Sequence, residues 1–180
     1  MKKLIIPLLF IILLVGCNKK ENSIKTLLLE TEKGTIELKY DSNNFEESDY
    51  ISLKKGKILE NEKYRIALEF SDDTKEEVEK TKATYEKVKT RTVKEIEYNK
   101  IKGFASIDIN TATTEIYLFA GKKQDKIIIL RITTNNVENN SSNPEDIIFN
   151  QKEIQDILNS IKYKRWLAWI KKKLDNLSKI

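Results

Sequence analysis

Two hydrophobic patterns divide the chain. Leu4 to Val15 is apolar throughout, whereas from Thr26 onward apolar and polar positions largely alternate. Thr26 to Thr31 and Thr35 to Tyr40 flank Glu32-Lys33-Gly34, and Ile36, Leu38 and Tyr40 alternate with Glu37 and Lys39. That period of two predicts a β-hairpin with one dry face. Residues 41–62 lack a strong period and read as irregular; Tyr64 to Phe70 then alternates as a third strand.

Asp72-Asp73-Thr74 ahead of Glu76-Glu77 gives N-cap candidates and first-turn acids, and predicts a helix running to about Thr90. Its stripe Val78, Thr81, Tyr85 and Val88 suits a helix lying on a sheet, with Glu76 to Lys80 and Lys82 to Glu86 as solvent pairs. Four strands follow, Val93 to Tyr98, Gly103 to Asn110, Glu115 to Ala120 and Lys126 to Thr133, joined closely enough for an antiparallel meander. Ile116 to Ala120 and Ile127 to Ile132 are apolar at odd and even positions alike, so those strands should be covered on both faces. Asn135 to Asn143 reads as a polar loop before a second helical stripe, Ile154, Ile157, Leu158 and Ile161, which should supply the other covering layer. The expected fold class is α+β: an α/β/α sandwich with a central, mainly antiparallel sheet.

Met1-Lys2-Lys3, the apolar run and Gly16-Cys17 follow the charged, apolar, small-residue order of an export signal. Twelve apolar residues are too few to span a bilayer, which takes about 20. Leu14-Val15-Gly16-Cys17 resembles the lipobox of bacterial lipoproteins. The resemblance implies cleavage between Gly16 and Cys17 and a diacylglycerol on the Cys17 thiol, and in such lipoproteins the new terminus is often acylated too. The organisation read from the chain is therefore a signal peptide at 1–16, a lipidated tether at 17–23, a domain at 24–164 and a basic tail at 165–180.

Cys17 is the only cysteine and there is no histidine. This excludes Cys–His metal sites, Ser-His-Asp and Cys-His catalysis, and an intrachain disulfide. Ser52-Leu53-Lys54-Lys55 has the Ser-x-x-Lys form of penicillin-binding proteins, but no Lys-Thr-Gly follows and chance explains it in a lysine-rich chain. Asp41, Glu46, Glu47 and Asp49 could offer oxygens to calcium, yet Phe45 interrupts any EF-hand spacing and a solvated acidic loop is the simpler reading. Asp108 and Asn110 read as turn-capping residues. No catalytic residue, metal site or cofactor is expected, apart from the acyl groups on Cys17.

The formal net charge is +5; without Lys2 and Lys3 it is about +3, at 31 basic residues against 28 acidic. The excess lies in the tail, where Arg165, Lys171, Lys172, Lys173 and Lys179 face only Asp175. A neutral body outside the cytoplasm gives no reason to expect a nucleic-acid partner. On a helix Trp166, Trp169, Ile170, Leu174 and Leu177 share one side, away from Lys171 and Lys172. That stripe is rotated by about 130 to 140° from the one through Ile154, Leu158 and Ile161, so a break near Tyr163 to Arg165 is expected. Such an amphipathic tail helix can pack on its own domain, lie in a membrane interface or fill an envelope protein partner's groove.

In the order hairpin, helix, meander, helix, the chain resembles the PsbP-like family, which includes the DcrB-like bacterial lipoproteins and shares its α/β/α sandwich with the Mog-type Ran-binding proteins. The resemblance rests on Gly34 to Tyr40, the long helix after Phe70-Ser71-Asp72, Asn99 to Ala105, Phe119 to Thr133 and Ile157 to Lys162, and spans roughly 24–164. It implies an extracytoplasmic accessory role and no binding residues. The expectation for function is a membrane-anchored, non-enzymatic accessory or binding module of the cell envelope; the alternative is a lipid- or small-ligand-binding lipoprotein.

Overall fold

The computed structural model describes residues 23–49, 56–134 and 148–165. The export signal, Gly16, Cys17, the Ser52-to-Lys55 motif and the tail residues Trp166, Trp169, Ile170, Lys171, Lys172, Lys173, Leu174 and Leu177 lie outside them. In chain order the strands are β1 (Ile24–Thr31), β2 (Gly34–Asp41), β3 (Glu46–Asp49), β4 (Gly56–Glu60), β5 (Tyr64–Phe70), β6 (Arg91–Tyr98), β7 (Ile101–Asp108), β8 (Thr113–Ala120), β9 (Lys126–Thr134) and β10 (Lys162–Lys164). The helices are α1 (Lys75–Tyr85) and α2 (Lys152–Asn159). Among the described residues this is a predominantly antiparallel β fold with two helices. No helix among the described residues is long and apolar enough to cross a membrane.

Seven strands form the main sheet in the order β3-β4-β5-β9-β8-β7-β6, and β1-β2-β10 form a second, three-stranded sheet. The expected hairpin is present, with Thr31 opposite Gly34. So is the meander, with β8 and β9 dry along most of their length. The segment read as irregular, 41–62, instead contributes β3 and β4, paired with each other and with β5. Glu46-Glu47-Ser48-Asp49 has no apolar residue to reveal a dry face, and β3 is an edge strand paired with β4 only.

The helix expected to reach Thr90 ends at Tyr85. Of the N-cap candidates Thr74 takes the role, accepting from the Glu77 amide while the Glu77 carboxylate accepts from the Thr74 amide, a reciprocal capping box. Beyond Glu86, Lys87 and Val88 donate to Thr84 and Tyr85, so the chain tightens into turns and Val88 is exposed. Of the expected pairs, Glu76 to Lys80 forms at 2.8 Å; Lys82 reaches Glu86 only at 3.9 Å and turns mainly to Glu95 on β6.

The main sheet is covered unequally. On one side Val78 of α1 packs with Phe104, Tyr117, Phe119, Ile127 and Ile129. On the other, Leu27, Leu29, Ile36 and Leu38 of the small sheet and Ile154, Ile157, Leu158 and Ile161 at α2 join β5 and β7–β9 in one large core. The second covering layer is therefore a three-stranded sheet carrying a short helix, where a helix alone was expected. The helical break falls earlier than expected: α2 stops at Asn159, and Lys162–Lys164 pair with β2 opposite Glu37–Thr35. Gly34 makes this closure possible. A Cβ there would lie 2.5 Å from the Tyr163 ring and 2.7 Å from the Lys164 carbonyl oxygen.

Candidate functional site

Two places gather polar chemistry. The first is a charged cluster between α1 and the main sheet. Alternation on β8 turns Glu115 to the same side as Tyr117 and Phe119, and register sets it between Ser106 of β7 and Arg131 of β9. Glu115 is buried, and its carboxylate accepts from the Tyr85 hydroxyl at 2.9 Å, Arg91 Nη1 at 3.0 Å and Arg131 Nε at 3.2 Å. Arg91 also donates to Ser106 Oγ at 3.0 Å, pairs with Asp108 Oδ2 at 3.3 Å and stacks on the Tyr85 ring, 4.1 Å from its centroid. The expected turn-capping role of Asp108 holds as well: its other oxygen accepts from the Asn110 amide.

Burial pushes the Glu115 carboxyl up, but hydrogen bonds from Arg91, Tyr85 and Arg131 outweigh it and hold it below the usual carboxylate range. Burial raises the Tyr117 hydroxyl, reinforced by its hydrogen bond with Tyr85 and the charge of Glu115. A carboxylate held ionised by three donors is a poor proton acceptor, and α1 lies over it. The cluster is suited to holding α1 on the sheet rather than to acid–base work. Sequence reasoning missed it, although lone charges inside two largely apolar runs, Glu115 in Thr113 to Ala120 and Arg131 in Ile127 to Ile132, were a usable signal.

The second place is the end of the molecule around Phe45. Phe45 is buried and borders three open depressions of about 620 to 660 Å³ each. One is lined by Glu46, Glu60, Glu62 and Glu153 together with Lys63 and the uncharged polar Ser42, Asn43, Asn44 and Asn61. Another lies between β2 and α2, with Ile24, Tyr40, Phe45 and Ile157 as its apolar wall and Lys39 and Asp156 among its polar groups. The acidic stretch read as a possible calcium loop is dispersed here. Asp41 accepts from the amide of Asn43 and the side chain of Asn44, closing the turn after β2, and Glu47 pairs with Lys57 at 3.1 Å across β3 and β4. Among the described residues no set of three carboxylate, thiol or imidazole groups comes together to hold a metal ion.

Compared with protein-family models, with curated proteins and with solved structures, the chain matches none.

Proposed function

We propose that this is a lipid-anchored, extracytoplasmic protein whose domain serves as a non-enzymatic accessory or binding module of a bacterial cell envelope. The observation that carries the reading is the position of the single cysteine, directly after Leu14-Val15-Gly16 and the apolar run. With two or three acyl chains on Cys17 the protein would stay on its membrane, because each buried methylene contributes about 0.8 kcal/mol. Confinement to a surface then raises the effective concentration of the domain for membrane neighbours without any new contact.

On this proposal the domain has the PsbP-like α/β/α sandwich. Support comes from the succession hairpin, capped helix, four-stranded meander and short helix. The absence of enzymatic activity is likewise proposed, and is supported by a central carboxylate already saturated by donors.

The groove between β2 and α2 favours one alternative, a lipid- or small-ligand-binding lipoprotein, since its wall includes Tyr40, Phe45 and Ile157. In-cell crosslinking of the tagged protein beside a version ending at Lys164, with mass spectrometry of what each retains, separates the two. An accessory subunit recovers one envelope protein in stoichiometric amount. Recovery of no protein, with a lipid or small molecule extracted from the purified chain, points to the alternative.

A further inference from the structure

We infer that the free edge of β1 docks a second copy of this chain, the two β1 strands running antiparallel about a twofold axis at Thr26. Backbone pairing decides which groups are open. In an antiparallel ladder, opposed residues alternately exchange two hydrogen bonds and none. Ser42 donates its amide to the Ser23 carbonyl, and the amide of Lys39, opposite Thr26, donates to Ser160 Oγ on the far side of β2. Lys25, Leu27, Leu29 and Thr31 therefore bond to β2, while the amides and carbonyls of Ile24, Thr26, Leu28 and Glu30 point off the sheet. β1 has a strand neighbour on one side only, and among the described residues nothing bonds to these groups. The other edges are guarded. β3 has four residues, three of them acids, β10 has three residues, and β6 carries Lys94, Glu95 and Glu97 along its length. β1 has eight, and its outward run is Ile24 at 52% exposure, Thr26 and Leu28 at 45%. A long edge with exposed aliphatic side chains and few charges accepts a further strand.

The sequence of β1 is complementary to itself. Because the open groups belong to every second residue, the set Ile24, Thr26, Leu28 and Glu30 of one copy pairs only with even-numbered residues of the other. Centred on Leu27, that pairing would set Ile24 against Glu30; centred on Leu28, it would set Ile24 against Glu32. Centred on Thr26, it sets Ile24 against Leu28 on both sides of the axis and Thr26 against Thr26, cross-strand pairs that stabilise a sheet. These three pairs each exchange two backbone bonds, about six in all, and join two three-stranded sheets into one. Lys25 then meets Leu27, so no charge opposes its like. Asp41 and Glu37, opposite Ile24 and Leu28 on β2, lie one strand away from the new pairing and are engaged by Asn43 and Asn44 and by Lys164. The product is an isologous dimer, closed at two copies, and it stands whether or not Cys17 is acylated.

One strand pair is a small interface, so the expected association is weak, in the micromolar to millimolar range. Sedimentation equilibrium through that range compares the chain from residue 17 carrying Cys17→Ser with the same chain carrying Leu28→Lys as well, at an exposed position, whose melting temperature shows that it folds. The expected result is a monomer–dimer equilibrium for the first and about tenfold weaker association, or none, for the second. Oxidation reads the register. With opposed Cα atoms about 5.5 Å apart, Thr26→Cys in the Cys17→Ser chain is within disulfide reach of its counterpart, whereas Glu30→Cys is not. Covalent dimer should form several-fold faster from Thr26→Cys. A monomer at every concentration overturns the inference, as does a dimer that Leu28→Lys leaves intact or that crosslinks equally at the two positions. So does a dimer seen only after truncation at Lys164, because residues 165–180 would then be what covers the edge.

Discussion

The two faces of the seven-stranded sheet are held by different physics. Toward the small sheet and α2 the contact is mainly apolar, built from Leu, Ile and aromatic side chains of nearly every strand, with the buried Thr114 hydroxyl among them. Toward α1, one fully buried helix residue, Val78, and a handful of apolar partners share the work with the Glu115 cluster and the Lys82–Glu95 pair. Apolar burial is indifferent to pH and only weakly responsive to salt, whereas an ionic interface depends on both. The α1 layer should therefore be the first to loosen, and the small-sheet side should define global stability.

Truncating one buried residue on each side tests the comparison most severely. Leu118→Ala, facing the small sheet, should cost about 2 to 5 kcal/mol, and Val78→Ala, which removes two methyl groups, about 1 to 2 kcal/mol. Urea denaturation measures both; equal costs would undo the asymmetry.

Between those two in size is Glu115→Gln, which leaves Arg91 and Arg131 facing a neutral amide and should destabilise by about 2 to 3 kcal/mol, less than a fully buried pair because Arg131 is partly exposed. The same variant carries the pH test. Glu115 is held below its ordinary range in the folded state, so as pH falls the unfolded chain takes up the proton first. The stabilisation is complete above the ordinary carboxylate range and is lost as pH falls through the folded value. Melting temperature followed from neutral into acid should therefore fall more steeply for the natural chain than for Glu115→Gln, the two converging at low pH. Parallel curves would remove Glu115 from the account. The smallest effect expected is for Thr74→Ala, about 1 kcal/mol from the lost cap, read as fraying of α1 in amide hydrogen exchange with the small sheet unaffected.

Legibility in the sequence followed how locally each feature is encoded. β5, the meander and the start of α1 carry their own evidence: alternation in Tyr64 to Phe70, dry runs in β8 and β9, and a capping box within four residues. β3 and β4 do not. Glu46 to Asp49 is wholly polar, and Gly56 to Glu60 contributes two adjacent apolar residues, so backbone pairing with β5 decides their conformation. The end of α1 was overrun because Val88 continues the stripe through Tyr85 although the helix has already tightened into turns. The small sheet was legible only as a hairpin, since its third strand pairs Tyr163 with Ile36 from the far end of the chain. For the Glu115 cluster the charges were visible, but their meeting depends on register across four strands, which no local pattern supplies.

The proposal that organises the rest is anchoring through Cys17, and the most direct test is the intact mass and first peptide of the protein extracted from membranes of cells expressing residues 1–180. The expected result is a mature chain beginning at Cys17 with a diacylglycerol on its thiol, with or without an acyl chain on its amine, and a Cys17→Ser variant that carries no acyl chain. A mature chain that retains residues 1–16, or begins elsewhere with Cys17 unmodified, would contradict it.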